Sequence, residues 1–147
     1  MPNRKGYLMA ILVLLGNLAV GSAQVPPVPS PRVPPEMRTD IVHFDPHSAC
    51  LTHTEKAILD DVALRMKQES TSTVQVIGYT DSREATGPNA DLDRRRAEAV
   101  RDYLVTRHGI DPSRISVEGR AAREPVGDNT AEGRAANRRV VIRLVLP

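Results

Sequence analysis

A single cysteine in 147 residues excludes an internal disulfide, so the chain must rely on an ordinary hydrophobic core. That residue is Cys50, far from the apolar stretch near the N-terminus, and it cannot supply the acylated end of a lipoprotein. A long hydrophobic run is lacking as well. The uncharged stretch from Leu8 to Val20 would span only about 20 Å as a helix, short of the ~30 Å hydrocarbon core of a bilayer. There is no glycine-rich phosphate loop and no internal repeat. Nor is there an excess of charge: 20 basic residues stand against 18 acidic ones, which argues against nucleic acid as a partner.

What is present near the start has the order of a secretory signal peptide: Arg4 and Lys5, the apolar run, then Gly21, Ser22 and Ala23. Cleavage after Ala23 is expected, which leaves 18 basic and 18 acidic residues and a soluble product. The alternative is that residues 8–20 stay in the inner membrane as an anchor. Residues 24–40 hold six of the twelve prolines and read as an extended, polyproline-like linker with a reach of roughly 50 Å. Residues 41–147 then form one small domain.

Within that domain Ile41 to Phe44 reads as a strand closed by Asp45 and Pro46. Thr52 and Glu55 form a capping box for a helix from about His53 to Glu69, in which Ile58, Leu59, Val62 and Met66 recur at helical spacing. The β-branched run Thr73 to Tyr79 is a second strand, with Gly78 allowing close approach of another backbone or a ligand. Asp91 to Arg107 is a second amphipathic helix, stopped by Gly109; Ile115 to Glu118 is a third strand. Val140, Ile142, Leu144 and Leu146 alternate along a long last strand, at whose start Arg139 is expected to face solvent. This β-α-β-α-β-β order predicts an α+β two-layer sandwich: a four-stranded mixed sheet with two main helices on one face.

Several ordered motifs carry a resemblance. Gly78-Tyr79-Thr80-Asp81, the Leu92 to Ala97 run ending in Arg96-Ala97, and the tail from Gly133 through Asn137-Arg138-Arg139 to Val140 resemble the OmpA-like domain, together with Phe44-Asp45, Gly119, Pro125 and Asn129. That family includes the C-terminal domain of outer-membrane protein A, the peptidoglycan-associated lipoprotein and the flagellar stator protein MotB. The resemblance covers essentially all of residues 41–147. It implies non-covalent binding of peptidoglycan in the periplasm, at the wall or the outer membrane, through the diaminopimelate of the stem peptide, with other envelope proteins as further partners.

By the same resemblance Asp81 and Arg96 grip the ligand, Asn89 lines the pocket and Arg138 lies near it. The chemistry agrees, because the amino-acid head of diaminopimelate is a zwitterion. Asp81 would accept from the ammonium while Arg96 would clasp the carboxylate at the start of a helix. Two departures stand out. Glu84 occupies a position where the family commonly has glycine, and Asp93 stands where serine is usual, placing a negative charge near the expected carboxylate.

A second constellation, His43, His47, Cys50 and His53, offers four potential metal ligands within eleven residues and so a metal-binding or redox alternative. It matches no standard finger or catalytic spacing. The favoured reading is exposed histidines with a buried or half-buried Cys50, and no metal. No cofactor is implied. No nucleophile sits in a recognisable elbow, and a charge pair complementary to a stable zwitterion suits holding rather than turnover, so a binding module is expected and not an enzyme such as a wall hydrolase. If residues 8–20 remain in the membrane, the same domain would serve a tethered linker or stator-like protein.

Overall fold

The computed structural model describes residues 37–147; the expected signal peptide and residues 24–36 of the expected linker lie outside the described residues. Four strands and three α-helices follow one another: β1 (Met37–His43), α1 (His53–Gln68), β2 (Thr73–Gly78), α2 (Leu92–His108), β3 (Ile115–Gly119), α3 (Ala131–Asn137) and β4 (Arg139–Val145), with short 3-10 turns at Glu84–Thr86 and Pro112–Arg114. The strands form one mixed sheet in the order β1-β4-β2-β3. β4 runs antiparallel to both neighbours, and β2 and β3 are parallel, joined by the crossover through α2.

The alternation in β4 does what period two requires. Val140, Ile142 and Leu144 pack inward with Val42, Val74 and Val76 against Leu59, Val62, Ala63 and Met66 of α1 and Ala97, Val100 and Leu104 of α2. The result is the expected α+β sandwich with both long helices on one face. α2 ends where Gly109 adopts the left-handed conformation, φ 67°, and its N–H reaches back to carbonyls of the last turn.

Three details differ from the sequence reading. β1 begins at Met37, inside the segment expected to be linker, because Met37 to Asp40 pair with Val145 to Ile142 of β4; polar side chains at Arg38, Thr39 and Asp40 hide that pairing from a local apolar pattern. The order is β-α-β-α-β-α-β, since the short α3 has no apolar periodicity to reveal it; its cap is Thr130, whose hydroxyl accepts from the Gly133 N–H at 3.1 Å. At the start of α1 the Thr52 hydroxyl contacts the Glu55 carboxylate and caps no backbone N–H.

On the sheet face away from α1 and α2, Ile77, Tyr79 and Val141 form a second small cluster. Arg139 is buried there, not solvent-facing. Its guanidinium lies 4.0 Å from the Tyr79 ring centroid and donates to the Glu124 carbonyl at 2.9 Å.

Candidate functional site

β2 delivers the chain to Asp81. Past the end of the strand, Tyr79 N–H donates to the Arg139 carbonyl (2.8 Å) and Thr80 N–H to that of Ala121 (2.9 Å), which holds the following residue at the rim of the sheet. Asp81 is buried, 4% exposed. Its Oδ1 accepts from the N–H groups of Arg83 and Glu84, both at 2.9 Å, and its Oδ2 accepts from Arg138 Nη1 at 3.1 Å. Burial pushes the Asp81 carboxyl up, but the Glu84 N–H, the Arg138 guanidinium and the Arg83 N–H together outweigh it and hold it below the usual carboxylate range.

Arg96 is fully buried one layer below. Nη1 and Nη2 grip Glu84 bidentately at 2.8 and 2.9 Å, Nε donates to the Ser48 carbonyl (2.8 Å), and the remaining Nη hydrogens go to the carbonyls of Tyr79 (3.2 Å) and Asp45 (3.1 Å). All five guanidinium donors are therefore engaged. The Phe44 ring lies alongside, 5.4 Å from centroid to guanidinium carbon. Glu84 is equally committed, since Oε1 also accepts from His47 N–H (2.8 Å) and Oε2 from Asp81 N–H (3.2 Å). Burial raises the Glu84 carboxyl; the hydrogen bonds and charge of Arg96 with the two N–H groups bring it below its ordinary value.

Asp81 and Arg96 thus have separate partners. Asp81 faces Arg138, whose Nε also donates to the Phe44 carbonyl at 3.1 Å, and Arg96 faces Glu84. A cavity of about 220 Å³ opens over Asp81, walled by Pro46, His47, Arg83, Ala131, Arg134 and Arg138. Asn89 is not among its walls. Its side-chain oxygen accepts from Arg95 Nη2 at 3.2 Å. Asp93 is directed elsewhere too: Oδ2 accepts from the Ala121 N–H at 2.8 Å, on the β3 side, so the charge expected near the ligand is spent on a backbone donor.

Sequence reasoning missed Glu84 as the counterion of Arg96, and Arg83 and Arg134 as walls of the cavity. The first was detectable only as a departure from a family pattern. Arg134 lies in the tail motif, but nothing in its spacing marks it as a cavity wall, and Arg83 stands two residues past Asp81 in a loop that has no period to place it. His43, His47, Cys50 and His53 are exposed, and among the described residues no three His, Cys, Asp or Glu side chains come together as a metal site. The Cys50 thiol is exposed, where a buried or half-buried one was expected.

Both site carboxyls are depressed in the folded state, and the sign of their linkage follows. Their stabilisation is fully present above the carboxyl range of the unfolded chain and is lost as pH falls through the folded values. Stability should therefore fall below about pH 5, and Asp81→Asn should flatten that fall. Urea denaturation at pH 7, 5 and 3.5 checks this; a fall in the variant as steep as in the native protein would remove Asp81 from the account.

The model of the OmpA family matches residues 43–139, which contain every residue of this site. The outer membrane protein A of Bordetella avium is 42% identical over 103 residues, covering 69% of this chain and 53% of its own. The peptidoglycan-binding protein ArfA of Mycobacterium tuberculosis (strain ATCC 25618 / H37Rv) is 38% identical over 102 residues, covering 69% of this chain and 31% of its own. The chain therefore spans about half or less of the length of these curated relatives. Among solved structures, the cell wall anchor of the T6SS from Pseudomonas aeruginosa superposes with a TM-score of 0.65 at 30% identity, covering 79% of this chain and 89% of that one.

Proposed function

Since the chain belongs to the OmpA family, we propose that it binds peptidoglycan non-covalently in the periplasm and anchors there to the cell wall, taking the zwitterionic head of diaminopimelate into the cavity over Asp81. The observation that carries this reading is the Asp81 carboxylate beside the Arg138 guanidinium, 3.1 Å apart, on the wall of an open polar cavity. The ligand's ammonium goes to Asp81 and its carboxylate to Arg138, so the existing pair opens to admit a ligand pair of opposite sense. Arg96 serves from beneath. By fixing Glu84 and the carbonyls of Asp45, Ser48 and Tyr79 it holds two of the segments that shape the cavity, residues 45–48 and 79–84.

Relatives named for peptidoglycan binding and for wall anchorage support this reading, as does a charge pair suited to holding a stable zwitterion. One such pocket should bind at micromolar to millimolar strength, on the order of 4 to 8 kcal/mol, and be retained on a wall by the density of identical stems.

Co-sedimentation with diaminopimelate-type sacculi tests it. The native protein pellets with the wall, and Asp81→Asn or Arg138→Gln raises the apparent Kd from a sacculus titration about tenfold, as expected for one lost charge-assisted bond, while the far-UV circular dichroism stays native. Native protein left in the supernatant rejects the function. Variants that pellet like the native protein reject the site.

A further inference from the structure

The charges around the cavity are unbalanced. Among its walls one carboxylate, Asp81, faces three guanidinium groups, those of Arg83, Arg134 and Arg138. Glu84 does not redress this, because both of its oxygens are turned to Arg96 and its side chain is 1% exposed. Asp81 and Arg138 match each other and together match one zwitterion. Two cations remain over. Arg83 is exposed and has no acidic partner among the described residues, and Arg134 gives an N–H to the Asn129 carbonyl but meets no carboxylate.

Building on the function proposed above, we infer that Arg83 and Arg134 form a subsite for a second carboxylate, next to the one that receives the zwitterionic head. In a stem peptide the adjoining carboxylate is the free α-carboxyl of the γ-linked glutamyl residue preceding diaminopimelate. The cavity then selects stems in which that group is a free acid over stems in which it is a carboxamide. A carboxamide lacks the charge and keeps one acceptor oxygen where the carboxylate has two, its NH2 group meeting guanidinium groups that also only donate. Arg96 cannot take the part of this second cation, since its five donors are already used inside the protein.

Two tetrapeptides, L-alanyl-γ-D-glutamyl-diaminopimelyl-D-alanine, in which the backbone carboxyl of diaminopimelate is in a peptide bond, and the same peptide with the glutamyl α-carboxyl amidated, separate this inference from the reading beneath it. Both keep the zwitterionic head. Isothermal titration of the full chain should show the free acid binding about tenfold tighter at low salt, and the gap narrowing at high salt because the subsite is at the rim. The double variant Arg83→Gln/Arg134→Gln should bind both peptides with the weaker affinity, with an unchanged melting temperature. Equal affinity of the native protein for the two peptides overturns the subsite and leaves the wall-binding reading standing; so does a double variant that still prefers the free acid. Failure of both peptides to bind overturns both.

Discussion

Arg96→Met is expected to lose about 3–5 kcal/mol of stability, a large part of the roughly 5–15 kcal/mol available to a domain of this kind. The guanidinium is fully buried and is the sole partner of Glu84 that carries positive charge. Removing it strands a buried carboxylate and withdraws a donor from the carbonyls of Asp45, Ser48 and Tyr79. Methionine restores much of the volume and none of the donors, so packing alone cannot explain the loss. Adding Glu84→Gln to Arg96→Met should recover part of it, because a neutral amide costs less to bury than an unpaired charge. Urea denaturation of the two single variants and the double, completed as a cycle, measures the coupling. Simple additivity would mean that the pair does not act as a unit and that the account of Arg96 as the tie between these segments is wrong.

How the site could be read from the sequence follows from what spacing encodes. The helical periods of α1 and α2 and the alternation in β4 are local, and each places its element within a residue or two of where it lies. Asp81 and Arg138 are 57 residues apart yet meet in one cavity, and motif order sufficed to point to both. Motifs could not assign partners among charges. Arg96 pairs with Glu84 and Asp81 with Arg138 because of the path taken by residues 82–91, which turns on the Asp81 carboxylate and two backbone N–H groups. Nothing in the period of side chains records such a turn. For the same reason Asp93, at the start of a helix, could be recognised as a carboxylate but not as the acceptor for Ala121 in the turn after β3. Arg139 shows the converse case. A charged residue opening a strand suggests solvent, and only the fold covers it, with the Tyr79 ring at the end of β2 and Glu124 in the loop after β3.

Gly78→Ala should be among the most damaging single substitutions in the domain, and more damaging than Gly119→Ala. A Cβ on Gly78 would stand 1.8 Å from the Asp93 carbonyl oxygen and 2.7 Å from its carbon. Those atoms belong to the backbone of α2's first turn. They can move only if the helix lifts from β2, taking with it Leu92 and Ala97 from the core and Arg96 from Glu84. Overpacking a core typically costs about 1–3 kcal/mol, and a backbone-to-backbone overlap belongs at or above the top of that range. At Gly119 the first atom met is Asp93 Oδ2, 2.5 Å away, the end of a side chain. It can rotate aside for the loss of its bond to the half-buried Ala121 N–H, a net cost of about 1 kcal/mol. Thermal melts of the two variants should therefore differ, with Gly119→Ala folded and cooperative and Gly78→Ala severely lowered or without a transition. If Gly78→Ala melts like the native protein, α2 is not held against the sheet at that point. The placement of Arg96, and of the cavity floor built on it, would then need another explanation.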